Sequence, residues 1–174
     1  MILMSYDGSA DAQSAIEHAA KLMPGAEATV LTVWEAYVDI LARTGSMGLG
    51  FGMAGGYGDS QAVDAATGEA ALATATEGAQ RATAAGLVAH PRAVSHHGGV
   101  ANAILAEAAT VDADAIVMGT RGLGGVKSFL LGSVSHQVVQ HADRAVLVVP
   151  SPVIADHRRD WVGEAAVTAG GSTS

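Results

Sequence analysis

Short apolar runs closed by turn residues alternate along this chain with segments of helical period, and that alternation leaves few folds open. Met1 to Tyr6 reads as a strand that ends at Asp7-Gly8-Ser9, a turn followed by a helix cap. The Ser9 hydroxyl is suited to accept from a free first-turn N–H group. Ile16, Ala19, Ala20 and Met23 then fall on one helical face, and Pro24-Gly25 stops the helix. Ala28 to Trp34 is rich in β-branched residues and predicts a second strand. An Ala-rich helix from about Ala62 to Ala85 ends at Gly86, and Leu87 to Ser95 is the third strand. Pro91 inside that run has no N–H for a ladder, so this strand belongs at a sheet edge. Val100, Ile104, Leu105 and Ala108 give the next helix its apolar face. Ala115 to Met118 is unbroken and apolar, as a strand buried on both faces must be. A helix from Ser133 to His141 and a strand from Ala145 to Val149, closed by Pro150, complete the series. The order β-α-β-α-β-α-β-α-β predicts an α/β fold with a parallel sheet and helices on both faces. Right-handed crossovers restrict its topology further.

Composition bounds what such a fold can do. The 174 residues suit one domain over 1–150, with 151–174 as a flexible tail that lacks an apolar period. Charged residues make up 15% and aromatics 4%, so small side chains are expected at the helix–sheet contacts. A net charge of −8 gives no basic footprint for nucleic acid. The absence of cysteine excludes disulfides and thiolate metal sites. No apolar run approaches the ~18 residues of a membrane span, and the first residues lack a signal-peptide pattern. The expectation is a soluble, cytoplasmic protein. The seven histidines do not suggest a metal site. His96 and His97 are adjacent and point apart on extended chain, and His136 and His141 are a poor match to i, i+4 spacing. The stretch 42–60 crowds glycine with Met47, Phe51, Met53 and Tyr57 and predicts a mobile loop, either a plain surface loop or a lid.

The chemistry is concentrated between Met118 and Ser133. Gly119, Gly122, Gly124, Gly125 and Gly132 stand between a buried strand and a helix start. Backbone N–H groups in such a loop and at the following helix N-terminus attract anions. From Ala115 to Ala142 there is no Asp or Glu, while Arg121 and Lys127 are present. Ser133 is placed to cap the helix or to donate to a phosphate oxygen. Two familiar phosphate loops do not fit. Gly125 stands where a P-loop requires Lys, and the first turn, Tyr6 to Ser9, lacks the dinucleotide fingerprint.

What fits is Gly-x2-Gly-x9-Gly-Ser/Thr, met by Gly119, Gly122, Gly132 and Ser133. With Asp7-Gly8-Ser9, the strand Val30 to Val33, the segment Asp112 to Gly122 and the strand Ala145 to Val149, this resembles the ATP-binding subgroup of the universal stress protein family, from the chain start to about Pro150. The resemblance implies a Rossmann-like, open five-stranded sheet in the order 3-2-1-4-5. It places Asp7 and the Val33 backbone near an adenine. Met118 and Gly119 fall near the ribose, and Gly122, Gly132 and Ser133 at the phosphates. Charge and position add Arg121, Lys127 and Ser128. The implied ligand is ATP with Mg²⁺, with AMP or another adenine nucleotide as the alternative. The implied role is a nucleotide-dependent stress or regulatory one with slow hydrolysis at most. A homodimer through Ala145 to Val149 is also implied, against shielding of that edge by the tail. The competing function is a protein-interaction module of the same fold with no nucleotide.

Overall fold

The computed structural model describes residues 1–36, 60–96, 98–122 and 131–159. Lys127, Ser128 and the loop 42–60, apart from Ser60, lie outside them. The elements are β1 (Ile2–Ser5), α1 (Ala10–Leu22), β2 (Glu27–Glu35), α2 (Ser60–Ala84), β3 (Val88–His96), α3 (Val100–Thr110), β4 (Ala115–Gly119), α4 (Ser133–His141) and β5 (Ala145–Val149). The strands form one sheet in the order β3-β2-β1-β4-β5, and every neighbouring pair is parallel. Pro91 lies on β3, an edge strand, where its missing N–H does least harm.

The period of two along each strand divides the core into two layers. Ile2 and Met4 on β1, Tyr6 just beyond its end, Val30 on β2, Val117 on β4 and Val149 on β5 pack under α1 and α2. Leu3, Leu31, Ile116 and Met118 alternate with them and pack under α3 and α4 with Ile104 and Val138. The central strands are thus buried on both faces, which is why they read as unbroken apolar runs.

Small residues let the helices come close, as the aromatic-poor composition predicts. A Cβ on Gly78 of α2 would sit 2.6 Å from Tyr6 Cδ1 and 2.9 Å from Val30 Cγ1. Tyr6 therefore lies under α2, and its hydroxyl donates to Glu77 Oε1 at 2.9 Å. Burial pushes the Tyr6 phenol up from its ordinary range, and the Glu77 carboxylate adds to the shift.

Residues 152–159 are helical, although the sequence there shows no apolar period. Pro152 takes the first helical position, where a missing N–H is harmless, and Ala155 N–H donates to Ser151 O at 2.9 Å.

Candidate functional site

β1 and β4 are neighbours at the middle of the sheet. After β1 the chain moves outward through β2 to β3, and after β4 it moves the other way to β5. Their carboxyl ends thus flank the topological switch point, where open α/β sheets hold ligands. Two turns meet there, Tyr6 to Ser9 and Thr120 to Gly122.

The first turn is built on local hydrogen bonds. Asp7 Oδ1 accepts from Ser9 N–H at 3.0 Å, and Ser9 Oγ accepts from Ala12 N–H at 3.2 Å, so Ser9 caps α1 as its position suggests. Gly8 between them has φ of +81°, a conformation that favours glycine. Ser9 Oγ also donates to Arg121 O at 3.4 Å, which ties this turn to the second one. Gly122 lies against Asp7, and a Cβ added there would overlap Asp7 Oδ2. Asp7 and the glycine segment therefore face each other directly.

The remaining candidates occupy different positions. Leu31 O accepts from Tyr6 N–H at 2.8 Å, and Ser5 with Leu31 is the last β1–β2 pair. Val33 lies two residues further along β2, so its backbone N–H and C=O turn to the same side beyond the end of β1. Met118 is 4% exposed and belongs to the core, which leaves only its backbone available to a ligand. Gly119 is a packing glycine: a Cβ there would lie 2.7 Å from Asp11 C and 2.8 Å from Ala12 N. The first turn of α1 lies directly on the end of β4. Arg121 is half-buried at the start of the glycine segment.

Two details at α4 correct the sequence reading. Gly132, not Ser133, is the N-cap residue, and no side chain caps this helix among the described residues. Ser133 is the first helical residue and is exposed. The Gly132 N–H donates to Thr120 O at 2.8 Å, so this amide is committed within the chain. The first bond of α4 runs from His136 N–H to Gly132 O at 2.9 Å. The N–H groups of Ser133, Val134 and Ser135 precede that bond and are the ones a helix start leaves to an outside acceptor.

Asp11, Thr120 and Ser135 were not singled out from the sequence. The Thr120 hydroxyl donates to the Asp11 carboxylate, and Ser135 Oγ donates to Thr120 O at 2.8 Å. Asp11 shares a helical face with Ala15 and Ala19, and that spacing was the available signal for its burial. Nothing comparable marks Thr120, whose side-chain partner Asp11 is distant in sequence, or Ser135, whose hydroxyl reaches Thr120 O as well as Gly132 O at 3.0 Å.

Among the described residues no cluster of three or more His, Asp or Glu side chains is arranged to hold a metal ion. No helix among them is long and apolar enough to cross a membrane.

Comparisons with known proteins agree with this architecture. Residues 1–150 match the model of the universal stress protein family. A Thermus aquaticus protein described as a universal stress protein is 36% identical over 154 residues, covering 85% of this chain and 96% of the relative. Among solved structures, the hypothetical protein MJ0577 superposes with a TM-score of 0.65 at 22% identity, covering 86% of this chain and 94% of that one. A universal stress protein solved in complex with cAMP superposes with a TM-score of 0.55 at 24% identity, covering 86% and 95%. An Archaeoglobus fulgidus universal stress protein solved in complex with dAMP gives 0.53 at 20% identity, covering 85% and 95%.

Proposed function

The chain belongs to the universal stress protein family, and from that premise we propose that it binds an adenine nucleotide, foremost ATP with Mg²⁺, at the switch point between β1 and β4. The observation that carries this reading is the apposition of Asp7 to Gly122 beside a helix start that no side chain caps among the described residues. Asp7 and the Val33 backbone flank the side suited to the base. The backbone of Met118 and Gly119 lies toward the ribose. Gly122 and the first-turn N–H groups of α4, with the Ser133 hydroxyl, take the phosphates. Arg121, Lys127 and Ser128 add polar and cationic groups from the same segment. The complexes with cAMP and dAMP among similar structures favour an adenine ligand.

Mg²⁺ fits this site as a companion of the phosphates. The described residues offer no carboxylate cage, and this ion is commonly held through one or two protein ligands, waters and substrate phosphates. Hydrolysis is slow at most in this reading. Asp7 Oδ1 is engaged by Ser9 N–H, and the Asp11 carboxylate by Thr120. Nucleotide binding then acts by changing the populations of the loop that contacts it.

Mass spectrometry of small molecules released from freshly purified protein tests the ligand, and copurified adenine nucleotide is the expected result. In a thermal-shift assay, millimolar ATP with Mg²⁺ should raise Tm, and Gly122→Val should remove the shift by crowding Asp7 and the phosphate approach. No shift with the unaltered chain would favour a protein-interaction module of the same fold.

A further inference from the structure

Thr120 stands between β4 and the Arg121–Gly122 turn and is bonded to three other elements of the molecule. Its hydroxyl donates to the Asp11 carboxylate in the first turn of α1. Its carbonyl accepts from Gly132 N–H at 2.8 Å and from Ser135 Oγ at 2.8 Å, both at the start of α4. Its own N–H donates to Val149 O on β5 at 3.0 Å. Thr120 is 1% exposed, Asp11 7% and Ser135 2%. The segment from Arg121 to Leu131 therefore begins and ends at one buried, hydrogen-bonded point.

We propose that Thr120, oriented by Asp11 and Ser135, is a positioning residue that fixes Gly122 and the start of α4 relative to each other before ligand arrives. The inference rests on the nucleotide reading above and adds to it a buried support whose side chains touch no part of the ligand. Binding sites gain affinity when their contacting groups are held in place beforehand, because less ordering remains for the ligand to impose. Here the groups held in place are the ones assigned to the phosphates. Asp7 and Val33, on the base side, are fixed instead by the β1–α1 turn and by β2. The support should therefore matter for phosphate binding and little for nucleoside binding.

Calorimetric titrations with ATP·Mg²⁺ and with adenosine test this. Thr120→Val keeps the side-chain shape and removes the hydroxyl. It should weaken ATP binding about tenfold, of the order expected when a hydrogen bond to a charged group is lost. Adenosine binding should change less than about twofold. Thr120→Ser, which restores a hydroxyl, should recover most of the ATP affinity. Should Thr120→Val fail to fold, Ser135→Ala removes one donor to the same carbonyl and should weaken ATP binding about threefold, again sparing adenosine. Equal losses for both ligands, or unchanged ATP binding in these variants, would overturn the inference while leaving the nucleotide site standing. No binding of either ligand by the unaltered chain would overturn the nucleotide reading and the inference together.

Discussion

Gly119, Gly122 and Gly132 each lack a side chain for a different physical reason. At Gly119 a Cβ would run into main-chain atoms of Asp11 and Ala12 in the first turn of α1, and backbone cannot swing aside. At Gly122 it would meet the tip of Asp7, and at Gly132 it would lie 3.1 Å from Thr120 O. The consequences should separate. Gly119→Ala should lower stability by about 3 kcal/mol, the upper range for overpacking a tight site. Gly122→Ala should leave the urea midpoint nearly unchanged and reduce ATP binding, because it displaces a carboxylate rather than a helix. Paired denaturation and binding measurements check this, and equal stability losses in both variants would contradict it. The motif spacing in the sequence marks all three glycines alike. It could not separate the packing glycine from the one facing Asp7, because that difference lies in α1, more than a hundred residues away in the chain.

Among the elements, α2 is held by its contacts more than by its own pattern. Its buried positions include Ala71, Ala75, Gly78, Ala79 and Ala82, a stripe of small residues that lets the helix settle on Tyr6 and Val30. Gly78→Ala gains helix propensity of up to about 1 kcal/mol but forces a methyl group into the Tyr6 ring, at a cost of about 1–3 kcal/mol. Net destabilisation is expected in thermal melts, and a stabilised variant would show that α2 can shift. Tyr6 also sets an alkaline limit. Its folded-state pKa is raised, by burial first and by Glu77 second, so its stabilising contribution is complete below the unfolded value of about 10 and is lost as pH rises through the folded value. Tyr6→Phe should flatten this loss in urea unfolding from neutral pH to about pH 11, and an unchanged slope would exclude Tyr6 as its source. The strands and helices were legible because apolar period survives translation into burial. The helical turns at 152–159 were not, because Pro152 and a short stretch of mixed polarity carry no period to read.

The whole molecule has two sheet edges of different character. The β3 edge carries Pro91 and the exposed His90 and Arg92, with Arg92 paired to Glu107 on α3, features that discourage strand addition. The β5 edge reads Ala145-Val146-Leu147-Val148-Val149 and, among the described residues, pairs with β4 on one side only. Val149 O accepts from Thr120 N–H across the β4 side, so Val148 turns its N–H and C=O outward. We propose a homodimer formed by pairing this edge with its copy. Light scattering should report a dimer for the unaltered chain and a folded monomer for Val148→Pro, which removes an outward donor and spares the β4 ladder. A monomer in the unaltered chain would contradict that assembly and point to shielding of the edge. The proposed nucleotide seats its polyanion on the main-chain amides between β4 and α4. An amide-resolved NMR titration of the full chain with ATP·Mg²⁺ and with adenosine reads this seat residue by residue. The Gly122, Ser133, Val134 and Ser135 amides should move with ATP and stay still with adenosine. Saturating ATP that leaves those four amides unmoved would contradict it.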